Sequence, residues 1–224
     1  MKIRNSALIT LAAATLSITV MAPAHATTEI DEDLKQELED ARVPDSQVNN
    51  LARKIENGET LDAEKSDVGA SSVEEYEEDG FDVTRFGYPD GSYVIAEVEQ
   101  PVQHLDEDDV SNLQSVSQCT ESSSGSWLIR NNCTISWSAQ NGSFSYDMDA
   151  RYIPGGAGAG QIDRVYGAAG SGLNYISGSA TATTHRANGN PAIAVGQAQY
   201  YIAPTSMTFE THVTNNGINP QQPR

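Results

Sequence analysis

The 224 residues carry 31 acidic against 13 basic side chains, a formal net charge of −18, with 38% apolar residues and two cysteines. A surplus of negative charge repels phosphate backbones, and no cluster of Lys and Arg interleaves with aromatics, so nucleic acid is excluded as a partner. The apolar fraction suits one or two small domains and is too low for a membrane-embedded chain.

The chain opens with an export pattern. Lys2 and Arg4 precede an apolar run, Ala7 to Met21, that is short for a membrane span; Ala24-His25-Ala26 then places small residues at both positions a signal peptidase reads. Residues 1–26 are therefore expected to be a signal peptide cleaved after Ala26, and the mature chain is expected to be secreted. No cysteine follows the run and the C-terminus lacks a hydrophobic tail, so no stable membrane anchor is expected. His104, His185 and His212 remain as the histidines of the mature chain.

Helical periodicity comes next. Ile30, Leu34 and Leu38 recur every four positions within Glu29 to Asp40, a thin apolar stripe on a charged helix. Pro44-Asp45-Ser46 starts a second helix, about Ser46 to Asn57, on which Val48, Leu51, Ala52 and Ile55 share a face; Arg53 and Lys54 suit its last turn, and Gly58 suits its C′ position. Leu61 to Asp79 is mostly Asp, Glu, Ser, Ala and Gly, and reads as a mobile connector. A β-hairpin follows: Phe81, Val83 and Arg85 alternate with polar residues, Tyr88-Pro89-Asp90-Gly91-Ser92 signals a type I turn closing into a glycine bulge, and Tyr93 to Val98 returns.

Lys54-Ile55-Glu56-Asn57-Gly58-Glu59 followed, after a spacer, by Tyr88-Pro89-Asp90-Gly91-Ser92 resembles an N-terminal cassette of small secreted proteins of Gram-positive actinobacteria, over about a quarter of the chain. The resemblance implies export from a bacterium and carries no activity.

Composition then changes. Residues 27–118 hold 26 acidic and 6 basic side chains, whereas residues 119–224 hold 5 of each and 13 of the 18 glycines. The shift divides the mature chain into an acidic segment with helices and one β-hairpin, 27–118, and a β-domain, 119–224, with the boundary in Gln100 to Gln118. Cys119 and Cys133 are the single possible intramolecular pair of an exported chain, and a bridge closing so short a loop contributes about 3 kcal/mol. Trp127 and Ile129 mark one strand. Ile135 and Trp137 share a face of the next, Gln140-Asn141-Gly142-Ser143 turns, and Phe144, Tyr146, Met148, Ala150 and Tyr152 line one side of the return. Further strands are expected at Gln161 to Tyr166, Leu173 to Thr184, Ala192 to Ile202 and Ser206 to Thr214, with a turn at Asn188-Gly189-Asn190-Pro191 and a frayed tail from Asn215 to Arg224. The predicted fold is mainly β, a small antiparallel sandwich or barrel with one disulfide, preceded by the acidic, partly helical segment.

The chemistry-bearing residues are few. No Gly-x-Ser-x-Gly occurs. His185 and His212, on strands expected to be neighbours, would form an acid-base pair or zinc site if Asp147, Asp149 or Glu210 joined them; exposed strand histidines are the plainer account. His104 lies among carboxylates that would raise its pKa. Asp106-Glu107-Asp108-Asp109 and the Glu74 to Asp79 cluster are oxygen donors of the kind calcium takes, but lack the spacing that wraps an ion, and Asp147 and Asp149 point away from the aromatic face. Ser177 to Ala198, rich in small residues, resembles the membrane stem of secreted β-pore-forming toxins and equally suits tight strand packing. Asn132-Cys133-Thr134 and Asn141-Gly142-Ser143 match the glycosylation sequon, to which a bacterial export signal gives no role. No catalytic, metal or cofactor residue is assigned. The expected function is a secreted, non-catalytic interaction protein of unknown extracellular partner. The alternatives are a toxin or bacteriocin-like effector with an acidic pro-region, and then an extracellular hydrolase.

Overall fold

The computed structural model of the chain describes residues 32–101, 118–140, 142–156, 160–172, 175–199 and 207–224. The expected signal peptide with its cleavage after Ala26, His104, and Asp106 to Asp109 lie outside them.

Helix α1 (Glu32–Asp40) and helix α2 (Asp45–Glu56) form an antiparallel pair. The apolar face of α2 buries Val48, Leu51 and Ala52. Its end is closed by Gly58 at φ +65°, whose N–H donates to Ile55 O at 3.0 Å while the Glu59 N–H donates to Lys54 O at 2.9 Å, the two bonds of a Schellman cap. The thin stripe of α1 suffices because Leu38 is sealed in a small core with Val43, Leu61 and Tyr93. Tyr93 belongs to the sheet, so the helix pair sits on the outer face of that sheet. Arg85, buried beneath, donates from Nε to Ala41 O at 3.2 Å and from Nη2 to Arg42 O at 3.3 Å, supplying donors to carbonyls that the end of α1 leaves unpaired.

Leu61 to Asp79 is not the mobile connector its composition predicts. A 3₁₀ turn (Asp62–Glu64) leads to strand β1 (Ser72–Glu78), which pairs antiparallel with β2 (Phe81–Gly87) through a two-residue turn, Asp79-Gly80, with φ of +49° and +86°. A carboxylate-rich strand is tolerated here because β1 lies at the edge of its sheet, where both faces reach water. Strand β3 (Tyr93–Glu99) completes the meander, and the turn before it closes as its sequence predicts, with Gly91 at φ +90° donating to Tyr88 O at 3.0 Å and Tyr88 donating to Ser92 O at 2.9 Å.

The two segments of the cassette meet at this turn. Asp90 accepts from Lys54 Nζ at 2.9 Å, from the Asp62 N–H at 3.0 Å, from the Ser92 N–H at 3.0 Å and from Ser92 Oγ at 2.5 Å. Gln47 Nε2 donates to Pro89 O at 3.1 Å, so α2 is pegged to the turn at two points.

The remaining strands are β4 (Thr120–Ser124), β5 (Trp127–Ala139), β6 (Gly142–Tyr152), β7 (Gly160–Gly172), β8 (Thr181–Arg186), β9 (Asn188–Gly189), β10 (Ala192–Ala198), β11 (Met207–Thr214) and β12 (Gly217–Pro220). The larger sheet runs β1-β2-β3-β5-β6-β7-β9 with β4 also on β5, and the smaller runs β12-β11-β10-β8; every pairing is antiparallel. Face to face they enclose the main core, to which β6 contributes Phe144, Tyr146, Met148, Ala150 and Tyr152. Phe144 stacks on Phe209 with centroids 4.5 Å apart, and Trp137 tilts against Phe209 at 5.3 Å. Of the expected antiparallel sandwich or barrel, the observed fold is the sandwich. The change of composition falls between β3 and β4, inside a single sheet.

One edge of β5 serves two strands. β3 pairs along Ile135 to Ala139 and β4 along Trp127 to Asn131, leaving a gap at Asn132, Cys133 and Thr134. The buried Glu99 fills it, accepting from the Gln118 and Thr134 N–H groups at 3.0 Å each, beside the Cys119–Cys133 disulfide.

Two further expectations are corrected. Strand structure in Leu173 to Thr184 is confined, among the described residues, to Thr181 onward; Ser179 instead closes a turn onto Ile176 O at 3.0 Å around Gly178 at φ +77°. Asn215 to Arg224 does not fray. It turns at Asn215-Asn216, forms β12 and continues along β11, where Gln221 N–H donates to Glu210 O and Arg224 N–H to Thr208 O. The Gln222 amide acts as a surrogate peptide group, accepting from the Ala70 N–H and donating to Val68 O at 3.2 Å each.

Candidate functional site

The two sheets differ in width, and the difference creates a cleft. Beyond β12 the inner face of β1 and β2 has, among the described residues, no strand of the smaller sheet above it, and a cavity of about 560 Å³ opens between that face and Asn216 to Gln221. In the register of β1 with β2, Glu75 stands beside Thr84 and Glu77 beside Asp82, all on the face that carries Phe86 into the core. Three carboxylates therefore line one wall. The other wall is the stretch from Asn216 to Gln221, where the Asn219 amide already donates to His212 O and Gly217 O and the Gln221 amide to Asn219 O.

Arg130 and Tyr152 close the inner end. Arg130 Nε lies 2.9 Å from Glu121, and its guanidinium is 5.8 Å from the Tyr152 ring centroid. Burial first, then Glu121 and Asp82 against the opposing pull of Arg130, holds the Tyr152 phenol above its usual pKa, so it stays a protonated donor. Since Glu121 already neutralises Arg130, the carboxylates of β1 and β2 are not compensated from that end.

The residues singled out in the sequence are placed elsewhere or apart. Cys119 and Cys133 form the expected disulfide. His185 and His212 are not on neighbouring strands: β10 runs between β8 and β11, with Ile193 opposite both Arg186 and His212. His212 faces outward with Glu210, Nε2 to Oε2 3.4 Å, while Glu210 also meets Arg224 at 3.2 Å. Asp147 and Asp149 point outward from the other sheet, as their spacing predicts, and are engaged there. Asp147 accepts from Thr134 Oγ1 at 2.9 Å, and Asp149 from the Asn132 N–H at 2.8 Å and Arg164 Nε at 2.9 Å. Of these five residues the structure brings together His212 and Glu210; it keeps His185 apart on β8 and the two aspartates on the other sheet, so the expected pairing of the two histidines in an acid-base or zinc site is not assembled. Among the described residues no group of three or more His, Cys, Asp or Glu side chains is arranged to hold a metal ion, and no helix is long and apolar enough to cross a membrane.

Comparison with protein-family models, curated proteins and solved structures finds no match to this chain. The cleft stands on its own geometry.

Its components come from four distant stretches, which is why no local pattern announces it. Two signals were nevertheless present. Asp79-Gly80 between polar runs is a hairpin turn, and Asn215-Asn216-Gly217 after an alternating strand is another. The small residues of Ser177 to Ala198 also find a use: Gly196 lies against the Phe144 and Tyr146 rings, where a Cβ has no room, and Ala192, Ala194 and Ala198 are buried.

Proposed function

We propose that the protein is an exported, non-catalytic interaction protein that holds an extracellular partner in the cleft between β1–β2 and β12. The observation that carries this reading is the cleft itself: a polar recess walled by both sheets, whose far wall is a C-terminal strand pinned at Gln222 and Arg224. The pairing of β3 with β5, and the burial of Ala96 and Val98 in the shared core, support a working molecule that keeps residues 27–118. Removal of that segment as a pro-region would strip three strands from the larger sheet.

Thr84→Arg tests the reading. Thr84 lies on the cleft floor beside Glu75, so an arginine there fills the recess and neutralises part of its charge. The secreted protein, immobilised, is expected to retain one component of the extracellular proteins and envelope polymers saturably, and the variant to lose that retention with an unchanged melting temperature. Equal retention by both would remove the cleft from the function.

A further inference from the structure

We propose that the open edge of β1 accepts an extended cationic peptide segment as an added strand, whose lysine or arginine side chains enter the cleft. The inference rests on the cleft being the binding surface and names what it binds.

Strand β1 ends the larger sheet, and among the described residues its strand partner is β2 alone, so alternate backbone N–H and C=O groups along Ser72–Glu78 face away from the sheet. Such an edge is the template on which extended peptides add, their backbone supplying affinity and their alternate side chains specificity. Charge selects the sign of the occupant. On the cleft face Glu75 and Glu77 stand beside Asp82, without a cation of the described chain paired to them. On the opposite face Arg42 lies 4.4 Å from the Tyr76 ring, and Glu74 stands in register with Arg85. Positive charge is thus supplied on the helix side, whereas Arg130, the cation at the inner end of the cleft, is already held by Glu121.

A second copy of this chain is the poorer occupant, because antiparallel β1 against β1 sets Glu75 opposite Glu75 when centred there, and Glu74 opposite Glu78 and Glu75 opposite Glu77 when centred on Tyr76, and like charges directly across a strand pair are destabilising. A cationic strand reverses the sign of each of those pairs. Val73, on the cleft face and 56% exposed, adds an apolar contact for the methylene stem of a lysine or arginine that enters there. The cavity of about 560 Å³ beside it has room for long side chains.

The probe is the heptapeptide Lys-Val-Lys-Val-Lys-Val-Lys, titrated calorimetrically into the full secreted protein at two salt concentrations. Saturable one-to-one binding that tightens as salt falls is expected. The exposed pair Glu75→Gln/Glu77→Gln should weaken it roughly tenfold, two cross-strand charge pairs being lost. Of two peptides N-methylated at alternate backbone nitrogens, one should lose binding and the other keep it, because only one set of N–H groups faces the edge. Undiminished binding by the double variant, or equal binding of both methylated peptides, would overturn strand addition. If the heptapeptide fails to bind while Thr84→Arg still abolishes partner retention, the cationic strand is wrong and the cleft reading survives; if Thr84→Arg retains its partner, the cleft reading itself has failed.

Discussion

Replacing Asp90 with alanine should destabilise the protein far more than replacing Lys54 with methionine, although the two form one ion pair. Asp90 is nearly buried and gathers four donors, two of them backbone N–H groups at Asp62 and Ser92. Alanine leaves those N–H groups without an acceptor, at roughly 1–3 kcal/mol for each unsatisfied buried group, whereas the Lys54 side chain is 22% exposed and rehydrates. A loss of about 3 kcal/mol is expected for Asp90→Ala and about 1 kcal/mol for Lys54→Met, where Asp90 keeps three donors. Urea unfolding followed by the fluorescence of Trp127 and Trp137 reads this directly: with a slope near 2 kcal/mol per molar, the Asp90→Ala midpoint should fall by about 1.5 M. The pH dependence has a definite sign. Burial alone would raise the Asp90 pKa, but the bonds from Ser92, Asp62 and Lys54 outweigh it and hold the carboxyl below its ordinary value. Its contribution is therefore complete above the unfolded-state value of about 3.9 and is lost as pH falls through the lower folded-state value. Equal losses for the two variants would show that the ion pair, not the backbone bonds, holds the turn, and would refute the reasoning.

Two further substitutions probe the core. Gly196→Ala drives a methyl into the Phe144 ring and should cost about 1–3 kcal/mol by overpacking, with loss of near-ultraviolet circular dichroism from the aromatic cluster; an unchanged spectrum and melting curve would mean the sheets have slack there. Tyr146 Oη donates to Thr211 Oγ1 at 2.6 Å in a site closed to water, so Tyr146→Phe and Thr211→Val should each cost about 1–2 kcal/mol. The double variant should cost less than their sum, and strict additivity in chemical denaturation would deny the bond.

The acidic segment illustrates why charge is a poor guide to order. Leu61 to Asp79 has the composition of a disordered linker, yet Leu61 and Ala63 are buried and β1 is held by backbone pairing to β2, which does not depend on its glutamates. A strand needs one hydrogen-bonding neighbour, and propensity averaged over a window does not register that neighbour. Asn215 to Arg224 makes the same point with polar residues and prolines: its backbone bonds to β11 and the Gln222 amide bonds to the backbone of Val68 and Ala70.

The sequence by itself determined those features whose physics is local. The apolar spacing of Val48, Leu51 and Ala52 and the glycine at 58 specify α2 and its end, because helix period and a left-handed cap involve neighbours within one turn. Alternation from Phe144 to Tyr152 specifies which side of β6 is inside, and hence that Asp147 and Asp149 are outside. Asp90 in its turn was legible; the Lys54 that reaches it was legible merely as a last-turn cation. Tertiary structure alone decided that β10 separates His185 from His212, that β3 and β4 share one edge of β5 with Glu99 between them, and that a wide sheet overhangs a narrow one to leave the cleft. These depend on which strands pair and what covers them. Pairing across dozens of residues is set by the combined burial of the whole core, so no single window of sequence contains it.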